Sequence, residues 1–122
     1  MVDQEKLVIM VTHGPSEPEL ATIPFVLAAA AVASEVEVVM GFQADGCLLV
    51  RKGAADGVVA PGFTPISELL PVLLEAGSKL LVCSPCIKSR GLVPEDFVEG
   101  SEIVASARFV SEITSASNCV VY

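Results

Sequence analysis

The stretch Leu80-Leu81-Val82-Cys83-Ser84-Pro85-Cys86-Ile87-Lys88-Ser89-Arg90-Gly91 decides how this chain is read. Its apolar opening has the character of a buried strand end. Two cysteines follow at CxxC spacing, Lys88 and Arg90 bring positive charge, and Gly91 closes the stretch. In an α/β fold, ligands bind in the crevice beyond the carboxyl ends of parallel strands. A thiol at such a strand-to-helix junction faces unpaired backbone N–H groups, and nearby cations favour its anion. The loop is therefore the first candidate for chemistry, with Cys83 as its reactive thiol. CxxC spacing alone also suits a redox disulfide, half of a zinc site or two inert thiols.

Working outward, the chain alternates between two patterns. Continuous or alternating apolar runs at Lys6–Thr12, Glu35–Phe42, Lys79–Cys83, Glu102–Ala105 and Asn118–Tyr122 predict strands. Between them, helices are expected from about Pro18 to Ser34, over Asp45–Gly53, Pro65–Gly77, Pro85–Arg90 and Ser106–Ser115, with a further turn at Pro94–Val98. Ser16 and Glu19 have capping-box spacing, and Pro18 suits a first helical turn. Pro24 and Pro71 are expected to disturb their helices. In the helix over Pro65–Gly77, Leu69, Leu70, Val72, Leu73 and Leu74 are expected to face inward. Such alternation predicts a single domain over residues 1–122, a parallel sheet sandwiched between helix layers.

Composition narrows the partners. Apolar residues make up 52% of the 122, aromatic ones 5%, so the core must be aliphatic. The net charge of −8 argues against DNA binding or anionic membrane surfaces through bulk charge. Asp3 and Glu5 precede the first apolar run, unlike the basic start of a secretory signal. Leu20–Ser34 is uncharged but shorter than the ~20 residues of a membrane span. The expectation is a cytoplasmic protein whose four cysteines are free, catalytic or metal-bound. From Leu20 to Ala33 the only polar side chain is Thr22. A helix apolar all round wants cover on both sides, which predicts a homo-oligomer.

Four stretches together resemble the DsrE/DsrF-like family: THGPSEPELATIPFVLA over 12–28, FQADGCLLVRKGAADGV over 42–58, APGFTPISELL over 60–70 and VCSPCIKSRG over 82–91. The resemblance runs through essentially the whole chain in order. It implies a three-layer α/β/α sandwich with a five-stranded parallel sheet, of flavodoxin- or Rossmann-like type, built into trimers or multiples of them. It also implies a sulfur carrier or sulfurtransferase. In such proteins a cysteine at this loop position takes sulfane sulfur from a donor protein as a persulfide and passes it to an acceptor protein. By position that role falls on Cys83. Pro85-Cys86 inside the loop is a departure from the relay members.

A carrier needs an exposed thiolate with cations near it. Lys88 and Arg90 can supply charge, and Ser84 and Gly91 line the same loop as candidate substrate contacts. Cys86 can resolve a persulfide on Cys83 by forming a disulfide, or can simply pack the short helix. His13 follows the first strand and so shares an edge with Cys83, where it can shuttle a proton or merely cap a turn. Cys47 and Cys119 read as structural. No second ligand pair completes a zinc site, and the glycines form no nucleotide fingerprint, so no metal or cofactor is expected. Two other classes remain open: a non-catalytic oligomeric module binding a small ligand or protein, and a thiol–disulfide redox protein.

Overall fold

A computed structural model describes residues 4–122; Asp3, read as part of the acidic start, lies outside the described residues. Five strands, β1 (Lys6–Val11), β2 (Glu37–Phe42), β3 (Lys79–Cys83), β4 (Ser101–Val104) and β5 (Asn118–Val121), form one sheet in the order β4-β3-β2-β1-β5. Every pairing is parallel. The helices are α1 (Pro18–Ala33), α2 (Ile66–Glu75), α3 (Ser84–Ser89) and α4 (Ser106–Thr114). The expected α/β architecture is the observed one.

Alternation along each strand sends successive side chains to opposite faces. Ile9, Val11, Val38, Met40, Leu80 and Val82 face α1 and α2, packing against Phe25, Ala28, Leu70 and Leu73. Val8, Met10, Val39, Leu81, Cys83 and Val104 face the other way, onto Phe109 of α4. The chain therefore passes β1, β2, β3 and β4 in spatial order, and α4 carries it back across the second face to β5. That order sets the carboxyl ends of β1, β2 and β3 side by side, and their three following loops share one edge.

Several local expectations change. The Ser16 capping box does not form; Glu17 is the N-cap of α1 and makes no side-chain cap bond. Pro18 at the first helical position fixes φ and lacks an N–H that would need a partner, so the cap is dispensable. Helix α1 runs on through Pro24, and α2 through Pro71. Ile66, Leu70 and Leu73 are the buried stripe of α2, while Val72, expected inward, is 48% exposed. The helix expected over Asp45–Gly53 is a 3-10 segment over Ala44–Val50, followed by another over Ala54–Gly57. Among the described residues no helix is long and apolar enough to cross a membrane.

Candidate functional site

The site is assembled from the three loops that follow β1, β2 and β3. Cys83 ends β3 and is the N-cap residue of α3. Pro85, in the first turn of α3, costs no hydrogen bond there. One turn on, Cys86 comes back over Cys83, and the two sulfurs are joined as a disulfide with Cα atoms 5.2 Å apart. Helix α3 is short because Gly91, at φ +70°, turns the chain out. The Gly91 N–H donates to the Lys88 carbonyl at 3.1 Å and the Leu92 N–H to the Ile87 carbonyl at 2.9 Å, the pattern of a glycine-terminated helix. Gly91 thus has a structural role at the site's border.

The loop after β2 supplies what the sequence did not announce. Ala44 adopts φ +50°, a left-handed conformation that is uncommon for a residue with a Cβ. In that conformation its backbone N–H donates to the Cys86 sulfur at 3.3 Å. The neighbouring residues hold it there. The Gln43 N–H donates to the Val11 carbonyl at 3.0 Å, and the Gly46 N–H donates to the Gln43 carbonyl at 2.9 Å. A Cβ on Gly46 would collide with the Val11 carbonyl, and one on Gly14 would lie 2.5 Å from the Asp45 carbonyl oxygen. Two glycines therefore let the loop after β2 touch the end of β1 and the loop after it backbone to backbone. No run of residue types marks Ala44 in advance; the Asp45-Gly46 pair was the available hint of a tight turn.

Arg90 ties the third loop to the second. Its Nη2 and Nε donate to one Asp45 carboxylate oxygen at 2.9 and 3.3 Å, and its Nη1 donates to the Cys86 carbonyl at 3.1 Å. Lys88 is exposed and makes no ion pair among the described residues. Ser84 is half-buried in the first turn of α3. His13 does share the edge with the cysteines, but its partner is Glu17, with Nε2 3.6 Å from the carboxylate, and its Nδ1 is buried without a hydrogen bond. The structure thus brings Cys83, Cys86 and Arg90 together with Ala44 and Asp45, and leaves His13 bonded to neither thiol.

The other two cysteines are free. Cys47 is fully buried in the Ala44–Val50 segment, and burial pushes its thiol up, with Arg90 pulling against that. Cys119 sits exposed on edge strand β5, opposite Val8. Among the described residues no three His, Cys, Asp or Glu side chains converge as a metal site. An open groove of about 530 Å³ is lined by Arg51, Lys52, Glu95 and Asp96, and neither Cys83 nor Cys86 lines it.

Residues 5–122 match the sequence model of the DsrE/DsrF-like family. The chain is 29% identical over 116 residues to the uncharacterized protein MK0008 of Methanopyrus kandleri, covering 95% of this chain and 93% of that one. Among solved structures, it superposes on the ychN protein from E. coli with a TM-score of 0.82 at 20% identity, covering 98% of this chain and all of that one. It superposes on MTH1491 from Methanobacterium thermoautotrophicum, a protein of unknown function, with a TM-score of 0.70 at 15% identity, covering 96% and 99%. At such identities the two superpositions speak to the fold.

Proposed function

The chain belongs to the DsrE/DsrF-like family, and from that premise we propose that it is a cytoplasmic sulfur carrier of sulfurtransferase type, which holds sulfane sulfur as a cysteine persulfide on the Cys83–Cys86 loop. Motif position selects Cys83 as the residue that carries the persulfide. The observation that supports the reading is the meeting of two thiol sulfurs at the carboxyl edge of a parallel sheet, with a backbone N–H directed at one of them. Such a donor favours sulfur as an anion, and the anion is the form that attacks a persulfide. Arg90 orders the loop through Asp45 and the Cys86 carbonyl, and Lys88, without an ion pair among the described residues, offers the loop a positive charge for an anionic sulfur species or an acidic partner surface. The partners are a donor protein, an acceptor protein and further copies of this chain.

The chemistry needs no metal and no cofactor. A thiolate attacks the outer sulfur of a donor persulfide, the donor leaves as its own thiolate, and this protein holds the extra sulfur. Reduced protein incubated with a sulfane-sulfur donor should gain one sulfur per chain by intact mass. Absence of any sulfur gain would overturn the reading.

One observation favours a second reading, a thiol–disulfide redox protein: the two sulfurs are bonded to each other. Equilibration at a cytosol-like glutathione poise separates the two readings. A carrier has both thiols free there, whereas a disulfide that persists would put the redox reading first.

A further inference from the structure

The two cysteines of the loop are not equivalent. Cys83 closes a buried strand, is 8% exposed, and faces Val104 and Phe109 on the α4 side of the sheet. Cys86 is half-buried, one turn further out, and its sulfur accepts the Ala44 N–H at 3.3 Å. Among the described residues no hydrogen bond reaches the Cys83 sulfur.

Resting on the reading of persulfide carriage, we infer that Cys86 is the thiol through which sulfur enters, and that Cys83 is the buried position to which it is then passed. In the reduced protein a hydrogen bond to a sulfur anion is charge-assisted and stronger than one to a neutral thiol. The Ala44 amide therefore favours the Cys86 thiolate over the thiol. Access points the same way, because a donor persulfide reaches a half-buried residue on the outer turn before one that closes the strand.

The steps balance without an added oxidant or reductant. The Cys86 thiolate attacks the outer sulfur of a donor persulfide; the S–S bond of the donor breaks, the donor departs as a thiolate, and Cys86 becomes a persulfide. Cys83, having given its proton to solvent, attacks the outer sulfur of Cys86. The new S–S bond forms on Cys83, and Cys86 departs as a thiolate into the hydrogen bond from Ala44. The bond between the two sulfurs in the structure places them within reach of each other. The same amide thus serves Cys86 first as nucleophile and then as leaving group. Burial of Cys83 keeps the stored sulfur away from small thiols in solution.

The test uses full-length protein, reduced and freed of reductant, with a low-molecular-weight persulfide as donor. Peptide mass spectrometry locates the added sulfur over time in the wild type, and sulfide release is followed in parallel. The added sulfur should be found on Cys86 first and on Cys83 later. Cys83→Ser should load and keep its sulfur on Cys86. Cys86→Ser should load about tenfold or more slowly, the scale of one charge-assisted hydrogen bond. In unmodified reduced protein, iodoacetamide should label Cys86 before Cys83, a measurement that needs no variant. Loading of Cys86→Ser at the wild-type rate would overturn the inference while leaving sulfur carriage intact. So would release of one sulfide per chain with closure of the disulfide. Failure of the wild type and both variants to take up any sulfur would instead remove the reading on which the inference rests.

Discussion

Arg90 and Asp45, forty-five residues apart in the chain, are joined by two hydrogen bonds from the guanidinium to one carboxylate oxygen, at 2.9 and 3.3 Å. The pair locks the loop after β3 onto the loop after β2, and with it sets Cys86 beneath the Ala44 amide. It also neutralises the guanidinium that bonds the Cys86 carbonyl. Both side chains are partly exposed, so the pair itself contributes at most ~1 kcal/mol to stability. Its larger effect is on the charge seen by the sulfur.

Asp45→Asn should therefore speed thiol alkylation. Removing the carboxylate leaves the Arg90 charge uncompensated beside Cys86, and a nearby positive charge favours the thiolate. The expected result is a several-fold faster iodoacetamide reaction at neutral pH, with a change in unfolding free energy under ~1 kcal/mol. Arg90→Ala should do the reverse and slow the reaction. Site-resolved labelling against pH checks both.

Gly46→Ala should damage the fold and the site together. The added methyl collides with the Val11 carbonyl, which belongs to a central strand and cannot yield cheaply. The expected cost is about 1–3 kcal/mol, accompanied by slower Cys86 labelling as the Ala44 amide is displaced. Gly41→Ala is the matched control. Its methyl would meet Met10 Sδ at 2.6 Å and Phe109 at 2.8 Å, under α4. That change should lower thermal stability and leave Cys86 reactivity as it was. Equal loss of labelling in both variants would show that the effect is merely one of stability.

Ala44→Gly tests the left-handed backbone. A residue with a Cβ at φ +50° carries about 1–2 kcal/mol of strain. Glycine removes that strain but adds freedom to the unfolded chain, which offsets about 0.4–1 kcal/mol. A net stabilisation of about 0–1.6 kcal/mol is expected, with Cys86 reactivity retained because the amide is still present. Denaturant unfolding measures the first and alkylation the second.

Glu112 should set the acid limit of stability. It is 5% exposed on α4, and it meets Lys6 of β1, Lys79 of β3 and Arg108 one turn away. Burial pushes its carboxyl up, but hydrogen bonds from Lys6 and Arg108 and the charges of Lys79 and Lys6 outweigh that and bring it from 4.5 down to about 2. A carboxyl lowered by folding contributes stability above its unfolded value, and the contribution fades as pH falls. The contribution, up to about 3 kcal/mol, should be complete above pH 4.5 and lost on descending to about 2. Glu112→Gln should lower the unfolding midpoint at pH 7 and make little difference near pH 2. A constant gap between the two proteins across that range would contradict this.

Helix α1 leads to an expectation of assembly. One face, with Ala21, Phe25 and Ala28, is buried on the sheet, while Leu20 is 42% exposed and no charged side chain follows it as far as Ser34. We expect a homo-oligomer, a trimer or a multiple of one. Light scattering at micromolar concentration should give a mass several times the 12.7 kDa of one chain. A monomer at that concentration would contradict it.

By itself the sequence determined the sheet and pointed to one loop as the candidate for chemistry. Apolar runs such as Lys6–Val11 and Lys79–Cys83 are strands because burial on both faces demands continuous hydrophobicity, a property of consecutive residues. Cys83-Ser84-Pro85-Cys86 was legible as a strand-to-helix loop carrying two thiols for the same reason: strand end, short spacing and glycine stop are all local. Tertiary structure alone decided how the loop is completed. The Ala44 amide lies forty-two residues from Cys86 along the chain, and a backbone donor has no residue type by which a sequence can announce it. Asp45 reads as the start of a short helix until the strand order places it beside Arg90. His13 reads as a neighbour of the thiols until its ring is found against Glu17. The division between an outer and a buried cysteine was likewise hidden, because exposure depends on which strand lies alongside and which helix lies above. Those are settled by the order β4-β3-β2-β1-β5 and by the return of α4 across the second face.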